Sequence, residues 1–324
     1  MGRRVVVWVV TVAAAAVAIV AAGAASGILD QASERSGRGG EPGGPAQAQA
    51  AFPPSSTNAA RGPHSPYVLK PATGRLPVDV RFENEPAAGI LFDVDTGEVL
   101  WEHDADERRP IASLTKMMTA LLIAKSHGPG EGVAITPEAL AYEGSGMGVL
   151  PKGGEAELES LLKGLVLVSG NDAAIALAQH DAGTVEAFVR QMNRARDDYG
   201  LTCSRFSSPH GLQDRGNYSC PRDLAALARA DLDNRRIARI MATDHASFPF
   251  PIKGGSLDLY NNNPFIRNGT PGITGVKTGY TDAAGRCYVT TQKVGGRHLG
   301  VVLLDSPKPL EQVPALLRAG ARHG

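Results

Sequence analysis

Apolar positions recur at helical spacing through one central stretch, Pro110 to Leu122. Leu114, Met117, Met118, Leu121 and Leu122 fall on a common face, and Pro110 with Ser113 suits a helix start. Upstream, 87–94 and 99–103 read as two strands joined by the Asp95-Thr96-Gly97 turn, a hairpin. Between 127 and about 262 the pattern is mostly helical. One face carries Leu158, Leu161, Leu162, Leu165 and Val166. Further helices begin near Asn171-Asp172, run through Val185, Phe188, Val189 and Met192, and follow Pro221 through Leu224, Leu227 and Leu232. From Gly272 the period returns to that of strands, over 273–281, 286–294 and 298–305. A closing helix is predicted over 309–321. The expected architecture is α/β: an antiparallel sheet built from both ends of the domain, with a helical subdomain (about 127–262) inserted and the Ser113 helix at the seam.

The N-terminal part follows another pattern. Arg3 and Arg4 precede an uncharged apolar run from Val5 to Ala25, and Ala22-Gly23-Ala24 offers a small-residue cleavage site. Residues 1–25 therefore read as a secretory signal or an N-terminal membrane anchor; either sends the rest of the chain out of the cytoplasm. Residues 26–85, rich in Gly, Pro, Ala and Ser, are expected to be a disordered linker, with the packed domain over 86–324.

Composition narrows the function. With 33 basic and 33 acidic residues among 324 and no basic run, a general nucleic-acid binder is excluded. Three cysteines allow one bridge and one free thiol. Cys203 and Cys220 bracket the loop around His210 and, in an exported protein, form the expected disulfide, leaving Cys287 as a buried thiol. The eight histidines show no His-Glu-x-x-His or other ligand spacing, so neither a metal nor any other cofactor is expected. His210, in a Pro-His-Gly turn, reads as structural, and Gly144 to Gly148 as a loop lining the cleft.

Ser113 and Lys116 lie three apart and so share a face beside the apolar stripe. A lysine pressed against a core loses hydration and can become neutral, and a neutral amine can accept a serine proton. A second Ser-x-x-Lys, Ser160 to Lys163, lies off the apolar face. There Lys163 is expected to pair with Glu159 in solvent. Ser169-Gly170-Asn171 falls between two helices, and Lys277-Thr278-Gly279 on the first late strand. Ser-x-x-Lys, Ser-x-Asn and Lys-Thr-Gly in this order are the motif set of penicillin-binding proteins and class A β-lactamases.

The chain resembles the D-alanyl-D-alanine carboxypeptidase family of low-molecular-weight penicillin-binding proteins. The resemblance covers roughly 86–305 and extends to Asn171-Asp172-Ala173-Ala174, Met192-Asn193, Phe206 to Leu212, and Thr274 to Thr281. It implies a β-lactamase/transpeptidase-like fold and a peptidoglycan stem peptide ending in D-Ala-D-Ala as substrate, with β-lactams as covalent inhibitors. It implies Ser113 as nucleophile, Lys116 as base and Ser169 as proton relay. Asn171, Lys277, Thr278, Gly279 and Tyr280 would bind substrate, the backbone N–H groups of Ser113 and Tyr280 forming the oxyanion hole.

The chain departs from the family after the last strand. Many members have an arginine there, and this sequence offers Lys308, a point charge rather than a fork. The extra β-rich domain and amphipathic tail of many relatives are not expected here, so membrane contact is expected only through the N-terminal segment. The weighed alternatives are a class A-like β-lactamase, a D,D-endopeptidase and a non-catalytic wall-binding scaffold. The first needs a deacylating glutamate, and none lies between Arg205 and Asp223.

Overall fold

The computed structural model describes Val5–Val6, 65–71, 74–212 and 215–323. A five-stranded antiparallel sheet organises the domain. Strands β1 (Ala88–Asp93) and β2 (Val99–His103) come from its start. Strands β3 (His245–Pro249) and β4 (Ser256–Tyr260) form a separate hairpin. Strands β5 (Ile273–Thr281), β6 (Gly285–Val294) and β7 (Arg297–Leu304) return from its end, giving the order β5-β6-β7-β1-β2. The sheet is thus assembled from both ends of the domain, as the sequence pattern implied.

Helices cover both sheet faces, so β1 reads as an unbroken apolar run rather than an alternating one. Ile90 and Phe92 face the core shared with the inserted helices. Leu91 turns the other way, with Leu100, Trp101 and Leu303, onto Val313, Leu316 and Leu317 of the closing helix, Pro309–Ala321.

Helix α1 (Lys116–Ser126) precedes the insertion, which contains α2 (Leu158–Leu167), α3 (Asn171–Ala182), α4 (Val185–Asp198), α5 (Pro221–Asp233) and α6 (Arg235–Met241). The periodicity of α1 predicts one buried face, yet Met117, Met118, Thr119, Ala120, Leu121 and Ile123 are all buried. Such a helix is enclosed on nearly every side. The β3–β4 hairpin is the main departure from the expected helical texture of this region.

The ordered domain begins earlier than Pro86. Tyr67 donates its hydroxyl to Asp233 at 2.7 Å, and Arg229 donates to the Tyr67 carbonyl at 2.6 Å. Leu69 and Val78 are buried, the Val78 N–H meets the Leu100 carbonyl at 3.0 Å, and Trp101 Nε1 donates to Val80 O at 2.9 Å. The low-complexity composition hid these few anchors, so the expected linker (26–85) is too long at its C-terminal end. Of the apolar run only Val5–Val6 is described, paired in parallel with Leu257–Asp258. The expectations for 1–25 and for 26–64 otherwise lie outside the described residues. Among those residues, no helix is long and apolar enough to cross a membrane.

Candidate active site

Ser113 lies on a single 3-10 turn, Ala112–Thr115, and Lys116 is the first residue of α1. The preceding Ala112 has φ 47°, in the left-handed region that non-glycine residues seldom adopt; such strain concentrates at functional sites. The conformation is held from two sides. A Cβ on Gly211 would sit 2.0 Å from the Ala112 carbonyl oxygen, and one on Gly279 would sit 3.1 Å from the Ala112 Cβ. Only glycine permits either approach.

The Lys116 side chain is 1% exposed. Its Nζ lies 3.0 Å from Ser113 Oγ, 2.7 Å from Asn171 Oδ1 and 2.8 Å from the His210 carbonyl. Two of these partners are carbonyl oxygens and can only accept. A neutral amine has two N–H bonds and one lone pair. Donation to Asn171 and His210 therefore leaves the lone pair for the Ser113 hydroxyl. Burial, and then the nearby Lys277 ammonium, push the Lys116 amine well below its ordinary range; Asp172 pulls weakly the other way.

Asn171 opens α3 and reaches Lys116 because a loop grips it. Its Nδ2 donates to Glu143 O at 2.6 Å, and its N–H to Ser145 O at 2.7 Å. Asp172 closes the same loop by accepting from the Met147 and Gly148 N–H groups at 3.0 and 2.9 Å. The Gly144 to Gly148 segment, expected to line the cleft, is thus the seat of Asn171. Ser169, two residues earlier, is buried with φ 61°, and its hydroxyl has no hydrogen-bond partner among the described residues.

On β5, Lys277 is 3% exposed, its Nζ donates to Thr278 O at 2.9 Å, and burial lowers its pKa to about 7. Thr278 and Gly279 are partly buried. Gly279 stands against the Ser113 turn, and Tyr280 is 62% exposed with its hydroxyl on Asp282 at 3.1 Å. The geometry therefore brings Ser113, Lys116, Asn171 and Gly279 together, with Lys277 buried two positions before Gly279 on the same strand.

Some features escaped the sequence. The His210 carbonyl on Lys116 is a backbone group, invisible in composition. The His210 imidazole is held neutral by burial, with its pKa near 4, and its Nδ1 accepts from the Leu212 N–H at 3.1 Å. Cys203 and Cys220 are bonded, with Cα atoms 5.8 Å apart, and Cys287 is a buried thiol outside the disulfide, its Sγ 3.3 Å from the Ala284 carbonyl oxygen.

The second Ser-x-x-Lys needs correction. Ser160 is buried, Glu159 pairs with Arg236 at 2.8 Å rather than with Lys163, and Lys163 sits 4.9 Å over the Phe248 ring. The β3–β4 hairpin supplies that ring, which the helical reading of this region lacked. Lys308 is half exposed and 3.7 Å from Glu311.

Residues 79–308 match the peptidase S11, D-alanyl-D-alanine carboxypeptidase, family model. The D-alanyl-D-alanine carboxypeptidase DacF of Bacillus subtilis is 33% identical over 233 residues, covering 71% of this chain and 59% of its own length. The chain thus spans somewhat over half the length of that relative. A mutant of a Streptomyces DD-transpeptidase superposes with a TM-score of 0.68 at 28% identity, covering 74% of this chain and 99% of the other. A D-alanyl-D-alanine carboxypeptidase from Mycobacterium tuberculosis does so with a TM-score of 0.69 at 30% identity, covering 76% and 94%. The chain belongs to the serine-type D-alanyl-D-alanine carboxypeptidase family and has its α/β, penicillin-binding-protein fold.

Proposed function

We propose that the protein removes the terminal D-alanine of peptidoglycan stem peptides through an acyl-enzyme on Ser113. The observation that carries this reading is the buried amine of Lys116, 3.0 Å from Ser113 Oγ with its other contacts satisfied by carbonyls.

Lys116 takes the Ser113 proton as Oγ attacks the penultimate D-alanine carbonyl. The developing oxyanion is received by the backbone N–H groups of Ser113 and Tyr280, each donor lowering the barrier by about 3 kcal/mol. Lys277 and Thr278 hold the terminal carboxylate. Asn171 fixes Lys116 and the substrate amide. Ser169 passes the proton to the departing D-alanine amine; its hydroxyl has no hydrogen-bond partner among the described residues to hold it back. Water then hydrolyses the ester. β-Lactams acylate Ser113 by the same attack and leave slowly. Export to the outer face of the membrane, with any attachment through the N-terminal segment, is supported by the apolar run from Val5 to Ala25 and by the disulfide.

Release of D-alanine from a stem pentapeptide tests the proposal. Release lost in Ser113→Ala supports it; no release by folded wild-type protein contradicts it. Rapid hydrolysis of penicillin would favour a β-lactamase instead.

A further inference from the structure

Away from Ser113, two histidines and two carboxylates distant in sequence form a compact cluster. His127 follows the last residue of α1, Glu131 precedes the short strand Gly132–Ala134, and His180 and Asp181 lie in the last turn of α3. Glu131 Oε2 lies 2.8 Å from His127 Nδ1 and 3.1 Å from His180 Nε2. The imidazoles are 4.8 Å apart, centroid to centroid, at 51°. The ligand atoms of His127, Glu131 and His180 all lie within 4.8 Å of one another. The other edge of His127 is committed: Nε2 lies 2.8 Å from Asp181 Oδ1. Gly128 N–H donates to the second Glu131 oxygen at 2.5 Å.

We propose that His127 Nδ1, His180 Nε2 and Glu131 Oε2 are the protein ligands of a divalent zinc site that ties the far end of α1 to the far end of α3. Two imidazoles and one carboxylate, with water in the fourth position, are a zinc donor set; an oxygen-only cation would not select the histidines. Zinc bonds of about 2.0–2.2 Å in a tetrahedron place ligand atoms roughly 3.3 Å apart. The cluster reaches that spacing by small side-chain shifts. The outer bonds match those that orient metal ligands: Asp181 holds Nε2–H and so turns Nδ1 toward the ion, and Gly128 fixes the carboxylate. On binding, each Zn–N bond replaces an N–H···O hydrogen bond to Glu131: His127 releases its Nδ1 proton to solvent, and His180 carries its ring proton on Nδ1 once Nε2 meets the ion. His127 keeps its Nε2 proton on Asp181.

The site braces helices rather than taking part in acyl transfer. Lys116 opens α1 and His127 closes it, so about 15 Å of helix separates them at a rise of about 1.5 Å per residue. Asn171 and His180 stand in the same relation on α3.

The test is calorimetric titration of the metal-stripped full chain with zinc chloride, paired with thermal melts. One equivalent bound and a raised melting temperature are expected. Affinity should fall at least 100-fold in His180→Ala, and 10–100-fold in Asp181→Ala, which removes only the orienting partner. Cobalt(II) substitution should give the visible absorption of a tetrahedral site. Penicillin labelling of His180→Ala should match wild type, showing that the variant folds. No stoichiometric zinc uptake by wild type, or equal uptake by His180→Ala, would overturn the proposal.

Discussion

The backbone nitrogen of Ser113 faces Gly279 so closely that a Cβ at position 279 would lie 2.9 Å from it. That methyl would also stand 3.2 Å from the Ile111 carbonyl oxygen. These neighbours are main-chain atoms, so β5 itself would have to retreat from the Ser113 turn. Such a retreat separates the two oxyanion donors proposed for Ser113 and Tyr280. Gly279→Ala should therefore slow acylation by penicillin by roughly 10²-fold, the worth of one such donor. Circular dichroism should remain native. Stopped-flow acylation at wild-type rate would show that the spacing is not needed.

The lysine pair sets the pH dependence. In the proposed role of base Lys116 must be neutral, so kcat/KM for D-alanine release should fall as pH drops and that amine protonates. The role proposed for Lys277, holding the substrate carboxylate, needs its charge. Its pKa is lowered to about 7 by burial, so kcat/KM should fall again as pH rises beyond that value. The two amines interact, so the limbs belong to the pair. Substrate carboxylate restores the Lys277 proton, and the alkaline limb should weaken in kcat. An alkaline limb equal in both profiles would contradict this assignment.

The disulfide holds the loop that braces the base. Residues between Cys203 and Cys220 present Pro209 O to Thr119 Oγ1 at 2.6 Å and His210 O to Lys116 at 2.8 Å. Replacing both cysteines by serine should cost about 3 kcal/mol in urea denaturation, as for a closed loop of this size. It should also slow penicillin acylation at temperatures where the protein stays folded. Lost stability with unchanged acylation would mean that the loop keeps its place without the bond.

Asp231 on α5 is fully buried, and neither carboxylate oxygen has a hydrogen-bond partner among the described residues. Burial pushes its pKa well above the ordinary carboxylate range. The folded state therefore binds this proton more tightly than the unfolded chain. Its stabilisation is fully present below the unfolded pKa and is lost as pH rises toward the folded one, by up to about 1.4 kcal/mol per pH unit. Asp231→Asn should flatten that slope and gain more over wild type at pH 8 than at pH 5. Urea melts at the two values decide it; parallel curves would contradict the account.

The sequence revealed the sheet and the contact between Ser113 and Lys116 for identifiable reasons. Strands such as Ala88–Asp93 and Ile273–Thr281 are bounded by turns and carry the residues their faces need. Ser113 and Lys116 are local neighbours, so their pairing follows from helix geometry. What stayed hidden is non-local. Contacts from main-chain carbonyls of Glu143 and His210 carry no side-chain signature. His127 and His180 meet only because α1 and α3 end side by side. The early domain start rests on Tyr67, Leu69 and Val78, too few to interrupt a low-complexity pattern. The pairing of Glu159 with Arg236, 77 positions away, displaced the local one with Lys163.

The most direct measurement is D-alanine released from a stem pentapeptide, alongside labelling by a fluorescent penicillin, in wild type, Ser113→Ala and Lys116→Ala. Wild type should release D-alanine and hold one covalent label. Ser113→Ala should do neither, and Lys116→Ala should acylate about 10³-fold more slowly. Labelling of Ser113→Ala at the wild-type rate, or full activity without the Lys116 amine, would contradict a buried amine drawing the proton from Ser113.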